Sequence, residues 1–404
     1  MLAINRKIIF ILILILKIYI VTGCINSSKK LLKLDKYLTT LKTKSNFIEK
    51  NYINPKNVAI KFPEKKQNLI YIIAESLEST FFSKNFGGIA NKNILKPLTN
   101  LTKNNINFSN TSKFGGAQSL NNSECTTAGI VEQTLGIPLK LNKKIVNYEY
   151  SHKHILKNAY GIGNILEKEG YFQLFLTGTD KKYGNKDSLL ENHGQYIILD
   201  YFKAIEKGYI DKEYRQNLGF EDSKLFDIAK EKILKIADKK VPFNVTILAT
   251  NTHYPEGYFE KNYEKIFDNK YLNALYYSSM EINSFIQWLK KQQFYKDTTV
   301  IISGAYLNQY ENCAKFNNNE YRTIYNLFIN NKAKPIACKN RKFTQLDMLP
   351  STIASLGAKI DGDRLGLGTN LFSNRKTLAE KFGIDFLKTE LEKESLFYNF
   401  KLLY

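Results

Sequence analysis

Short apolar runs rich in Ile, Val, Leu and Phe punctuate the chain from residue 68 onward. They are Asn68–Ala74 (NLIYIIA), Tyr171–Leu176, Gln195–Leu199, Phe243–Ala249 (FNVTILA), Thr298–Ser303 (TTVIIS) and Thr323–Asn330. Stretches with helical spacing of apolar residues lie between them, at about 94–104, 126–135, 161–169, 222–238, 271–292 and 345–356. Continuous apolar strands separated by helices predict a mainly parallel sheet covered on both faces, an α/β/α sandwich. In such sheets the chemistry sits in loops at the carboxyl ends of strands. That rule singles out Glu75, the turn Asn251–His253 and the loop 303–308, each directly after a predicted strand.

The first 24 residues follow a different pattern. Arg6 and Lys7 precede an unbroken apolar run, Ile8–Leu16, then Lys17 and Ile18–Val21, with no acidic residue. From Ile4 to Gly23 the chain could span about 30 Å as a helix, enough to cross a bilayer. Three readings are open: a secretory signal ending at a lipobox-like Val21-Thr22-Gly23-Cys24, an uncleaved anchor, and a buried apolar helix. The first two put the remainder outside the cytoplasm, tethered to a membrane. Residues 25–67, rich in Lys, Asn and Ser, are expected to form a stalk and linker. Residues 68–372 form the expected main domain, and 373–404 a helical tail without a motif.

The net charge is +21, and removing Arg6, Lys7 and Lys17 of the tether leaves +18. Such a surface fits anionic lipid or a polyanionic envelope polymer, or simply a lysine-rich solvated face. No zinc-finger spacing, RNP signature or basic heptad supports nucleic acid, so no nucleic-acid partner is expected. Four cysteines in 404 residues exclude a disulfide-stapled miniature fold. Cys313 and Cys338 could pair in an oxidising compartment.

Glu75 ends the first strand in Ala74-Glu75-Ser76-Leu77-Glu78. It reads either as a metal carboxylate or as a helix-N-terminal charge. Thr126 opens a helix, either as its cap or as a nucleophile whose helix N-terminus stabilises a phosphoryl group. His253, in a polar turn after a buried strand, reads as functional. His193, in Glu191-Asn192-His193-Gly194, is either a substrate contact or a turn residue.

Several stretches together resemble the sulfatase-like phosphoglycerol transferases of bacterial envelopes. That group includes lipoteichoic acid synthase and the periplasmic glucan glycerophosphotransferase, within the alkaline phosphatase superfamily. Asn68–Ser79 is similar to the family's first strand and metal carboxylate. Thr126–Leu139 (TTAGIVEQTLGIPL) is similar to its nucleophile helix, and Phe243–Gly257 to its histidine turn. Gly178-Thr179-Asp180 with Tyr183–Lys186, Phe285–Leu307 and Gly362–Phe372 complete the match, which runs from about Asn68 to Phe372.

The resemblance implies an alkaline phosphatase/sulfatase-like fold with one divalent metal, usually Mn²⁺. Its ligands would be a Glu, the nucleophilic Thr and an Asp-His pair. Carried over, Glu75 is the carboxylate, Thr126 the nucleophile and metal ligand, and His253 a catalytic and phosphate contact. Lys186 would hold the substrate phosphate, where the family usually has an arginine. The implied donor is a phospholipid such as phosphatidylglycerol, or a glycerophosphate polymer, and the implied location is the extracytoplasmic face of a membrane. A divalent metal would lower the threonine pKa and neutralise the transferring phosphoryl group.

One motif departs from this pattern. The family's Ser-Gly-Asp-His-Leu is Ser303-Gly304-Ala305-Tyr306-Leu307 here. Both members of the Asp-His metal pair are replaced, by Ala305 and Tyr306. The chain's histidines are His152, His154, His193 and His253, so none follows that motif. Two functional readings therefore stand: a transferase acting through Thr126, and a non-catalytic homologue that binds an envelope polymer or partner.

Overall fold

A computed structural model describes residues 14, 15, 17, 19–23, 44–121, 123–140, 156–309 and 322–403. The lipobox cysteine Cys24, His152, His154 and Cys313 lie outside the described residues, as does most of the predicted tether. Among the described residues no helix is long and apolar enough to cross a membrane.

Seven strands form the central sheet: β1 Asn68–Ala74, β2 Gly116–Ala117, β3 Phe172–Thr177, β4 Tyr196–Leu199, β5 Phe243–Ala249, β6 Thr298–Gly304 and β7 Ile324–Ile329. Their order is β2-β7-β6-β1-β5-β3-β4. Neighbours from β6 through β4 run parallel, whereas β7 is antiparallel to β6 and β2 to β7. Each apolar run of the sequence is a strand, and the sheet is mixed but mostly parallel, as expected. Only β7 runs against the others, because the chain returns after β6 to pair directly beside it.

Alternate residues of β1 enter two different cores. Leu69, Tyr71 and Ile73 point to one, and Ile70, Ile72 and Ala74 to the other. This period-2 division requires both faces to be covered. Helices α1 (Lys96–Lys103), α2 (Thr126–Leu135), α3 (Ile162–Lys168), α4 (Lys186–Asn192), α5 (Tyr201–Glu206), α6 (Asp222–Ala237), α7 (Lys270–Leu289) and α8 (Met348–Ser355) supply the cover. The face of Ile70 packs on α1, α6 and α7. The face of Leu69 packs on α2, α3 and α8.

Register aligns the site. Ala74 pairs with Ala249 on one side and Gly304 on the other. The residues that follow these three strand ends, Glu75, Thr250–His253 and Ala305–Tyr306, therefore emerge at one level of the sheet. Glu75 does not precede a helix. A turn and the short 3₁₀ segment Ser79–Phe81 follow it, so its reading as a helix-terminal charge fails.

Both flanking segments join the body. Residues 44–67 were assigned to the linker from their composition, yet Phe47 and Ile48 are buried. Ile60–Lys61 also pairs antiparallel with Lys359–Ile360. The tail forms α9 (Leu378–Phe382) and α10 (Ile384–Glu392), burying Leu378, Leu387, Leu391, Tyr398 and Leu402.

Candidate functional site

Helix α2 begins without a side-chain cap. Cys125 precedes it with extended backbone, and no side chain accepts from the first turn. Thr126 is buried, and its hydroxyl donates to Glu75 Oε1 at 2.5 Å instead of capping the helix. The N-terminal end of α2, with no side-chain oxygen capping it, favours an anion. Gly129 lets the helix press directly on the Ala305 carbonyl. Gln133 Nε2 donates to the Gly304 carbonyl at 3.1 Å, fixing that approach.

Glu75 is fully buried. Its N–H donates to the Ala249 carbonyl at 3.0 Å, and its own carbonyl accepts from the Thr252 hydroxyl. Its second carboxylate oxygen, Oε2, is buried without a hydrogen-bond partner among the described residues. Tyr306 is buried beside it. Burial first, and then the Glu75 charge, push the phenol well above its ordinary pKa, so the phenol remains protonated.

Asp222, at the start of α6, holds the histidine turn. Its Oδ1 accepts from Thr250 N at 2.8 Å and Asn251 N at 3.2 Å, and its Oδ2 from the Ser278 hydroxyl at 3.0 Å. Burial pushes its carboxyl up to about 7. His253 is half-buried, with Nδ1 2.6 Å from the Tyr254 carbonyl. A carbonyl only accepts, so Nδ1 carries a proton and Nε2 is left for other contacts.

A cleft of about 250 Å³ lies over these residues. Cys125, Thr126, Tyr183, Asn185, His253 and Tyr306 line it, together with Leu139 and Gln309. Lys186 lies outside the lining: it is buried, donates to the Tyr183 carbonyl and sits 5.1 Å from the centre of the Tyr183 ring. Burial lowers its pKa to about 8, against the opposing pull of Glu75, Asp180 and neighbouring acids.

The sulfatase family model matches residues 67–358. The chain belongs to the sulfatase family. Within it, phosphoglycerol transferase I of Escherichia coli is 29% identical over 272 residues, covering 66% of this chain and 34% of the relative. The chain thus spans about a third of the length of the curated relatives it matches. Among solved structures, the lipoteichoic acid synthase LtaP of Listeria monocytogenes superposes with a TM-score of 0.60 at 17% identity. That match covers 81% of this chain and 80% of LtaP. An alkaline phosphatase superfamily protein of Vibrio parahaemolyticus gives 0.57 at 18%, covering 79% and 72%. The expected fold and superfamily are borne out.

The structure brings Glu75, Thr126, His253, Ala305 and Tyr306 to one end of the sheet, and it holds Lys186 just beneath. It does not bring His193 there. His193 is buried after α4, where its carbonyl abuts Gly163 of α3, and it does not line the cleft. Asp347 also stays apart: its carboxylate accepts from Thr344 N at 2.9 Å and Thr369 N at 2.8 Å, a structural role.

The expected divalent metal can be tested against the donors. The unpartnered Glu75 Oε2 is the feature that a cation would satisfy. The rest of the set does not fit. Ala305 offers a methyl group, and Tyr306 a phenol that burial keeps protonated. Among the described residues no three His, Cys, Asp or Glu side chains converge on a common point. A hard divalent ion needs several oxygen or imidazole donors, so this set falls short.

Asp222 and Glu132 were not singled out from the sequence. Glu132, on α2, is buried against the Ser123 hydroxyl, and burial pushes it up to about 8. Asp222 looked like an ordinary first-turn helix acid. Its only sequence signal was its position at the first residue of a helix with an apolar face, which does not distinguish it from a dipole charge.

Proposed function

We propose that this chain is a phosphoglycerol-transferase-like member of the sulfatase family that binds a glycerophosphate group without the family's metal chemistry. The group would belong to an envelope phospholipid or polymer, and the domain would work at the outer face of a bacterial membrane. The observation that carries this reading is the donor set at the strand ends: Glu75 and Thr126 remain, with Ala305 and a buried, protonated Tyr306 beside them. What remains suits an anion. The uncapped N-terminus of α2, the His253 ring and the Tyr183–Asn185 turn line the cleft, with the Lys186 charge behind them.

The Thr126–Glu75 hydrogen bond favours a second reading, in which Glu75 takes the Thr126 proton as the hydroxyl attacks a phosphodiester, the P–O bond to the lipid alcohol breaks with the proton returned to it, and water then releases glycerol phosphate from Thr126. Calorimetry on the full chain in detergent separates the two. The natural chain should bind sn-glycerol phosphate and take up neither Mn²⁺ nor Zn²⁺, whereas Ala305→Asp/Tyr306→His should gain stoichiometric metal. Stoichiometric micromolar metal binding by the natural chain would overturn the reading, and so would release of glycerol phosphate from phosphatidylglycerol.

A further inference from the structure

The tail leaves large apolar side chains in solvent. Phe382, Phe386, Leu396 and Phe400 are 44, 49, 50 and 73% exposed, within 19 residues. Phe382 and Phe386 pack with tilted rings at 5.8 Å, and both meet the buried Phe47 edge-on, at 5.3 and 6.0 Å. Arg375, Lys376 and Lys381 are exposed beside them; of the acids in residues 375–388, Glu380 is bound to Arg341 at 2.6 Å and Asp385 is exposed next to Phe386. Exposed aromatics beside exposed basic residues match the chemistry of an anionic lipid interface.

The same tail gathers two other parts of the molecule. Ser45 N donates to the Glu394 carbonyl at 2.9 Å, and the Ser45 hydroxyl to Glu390 Oε2 at 2.6 Å. The chain leading back to the apolar run Ile4–Gly23 therefore joins the body on the tail, with residues 24–43 between them. Asn121 Nδ2 donates to Glu392 Oε1 at 2.6 Å, and the Lys140 ammonium to the Lys393 carbonyl. The Tyr398 hydroxyl donates to the Pro138 carbonyl at 2.8 Å. These contacts lie on both sides of α2, and Leu139 between the last two lines the cleft. Five residues, Glu390–Glu394, thus tie the incoming tether to the cleft rim.

We infer that the C-terminal tail docks the domain on an anionic bilayer, with Phe382, Phe386 and Phe400 entering the headgroup region beside the tether. The cleft rim is thereby held next to lipid headgroups. This rests on the envelope-tether reading, and it names the lipid surface as the source of the glycerophosphate.

The test uses the full chain in vesicles of three parts phosphatidylglycerol to seven parts phosphatidylcholine, with brominated acyl chains. Trp288 is the chain's single tryptophan. On a Trp288→Phe background, Phe386→Trp and Phe400→Trp report the tail. Val241→Trp reports an exposed position at the opposite end of β5. Brominated lipid should quench the two tail positions at least twofold and leave position 241 unchanged. Circular dichroism checks that each variant is folded. If the chain floats with the vesicles but the tail positions are quenched no more than position 241, docking is refuted. Aqueous iodide then shows whether the tail faces water or is covered by another segment or a second copy. If the chain does not float, docking and tether both fall. Titration with sn-glycerol phosphate in detergent tests headgroup binding independently of either.

Discussion

Gly129 is the residue on which the geometry of the cleft turns. A Cβ at this position would lie 1.9 Å from the Ala305 oxygen, 2.7 Å from its carbonyl carbon and 3.1 Å from its Cα. These are backbone atoms, and they cannot swing away. Ala305 N donates to the Ala74 carbonyl at 2.8 Å, and Gln345 Nε2 donates to the Gly304 and Ala305 carbonyls at 3.0 and 3.1 Å. Helix α2 must therefore retreat from β6 by roughly 1 Å or more to restore ordinary contact. Retreat stretches the Gln133–Gly304 bond and withdraws Thr126 from Glu75. Gly129→Ala gains about 1 kcal/mol in helix propensity but incurs overpacking of about 1–3 kcal/mol, here at the upper end. The expected net loss is about 1–2 kcal/mol. Urea unfolding of the full chain in detergent, followed by circular dichroism, should show a lower midpoint with an unchanged slope. Gly129→Ser should lower it further. A Gly129→Ala chain as stable as the natural one would show that α2 is not pressed on the Ala305 carbonyl, and the account of how Thr126 meets Glu75 would fail with it.

Lys186 is expected to set a pH limit on the proposed anion binding. Burial brings its pKa to about 8, so the ammonium charge is present below that pH and lost above it. Affinity for sn-glycerol phosphate, measured by calorimetry between pH 6.5 and 9, should fall through about 8, and Lys186→Met should remove that step; equal profiles would refute the role. Arg341 pins the tail. It donates to both Glu380 carboxylate oxygens and to the carbonyls of Leu371, Ser373 and Arg375. Arg341→Met removes the charge partner of the partly buried Glu380, which keeps only the Thr377 N–H, at about 3 kcal/mol or less, and should expose residues 373–403 to limited proteolysis before the rest of the chain.

Much of the sheet was legible because its strands are buried on both faces. Such strands read as continuous apolar runs, and β1, β5 and β6 fall where NLIYIIA, FNVTILA and TTVIIS predict them. The helix over Thr126–Leu135 was equally plain, closed by Gly136 in the left-handed region at φ 63°. Gly116–Ala117 was not legible as a strand. Two residues carry no period, and their pairing with Ile324 and Tyr325 is a tertiary fact. The packing of residues 44–67, and the partners of the helical tail, were not legible for a related reason. Their compositions are polar, and the few buried side chains that anchor them, Phe47, Leu387 and Tyr398, find partners hundreds of residues away.

Of the site, the residues beside strand ends were readable and those acting through long-range contacts were not. Strand ends are marked by where an apolar run stops, which locates Glu75, His253 and the Ala305-Tyr306 pair directly. Asp222 reaches the His253 turn only because α6 packs across the carboxyl end of β5, a relation that no local pattern encodes. Lys186 was read as a substrate contact, but the turn that presents Tyr183 folds the lysine beneath that ring. The replacement at 305 and 306 gains its meaning from register. Gly304 stands opposite Ala74 in the ladder, so position 305 lies beside Glu75 and position 306 follows it into the cleft. A change of residue type at that level of the sheet alters the donors around Thr126 while leaving every strand pairing intact. The sulfatase-family fold thus tolerates the loss of the expected Asp-His pair, because positions 305 and 306 contribute donors to the cleft rather than pairings to the sheet.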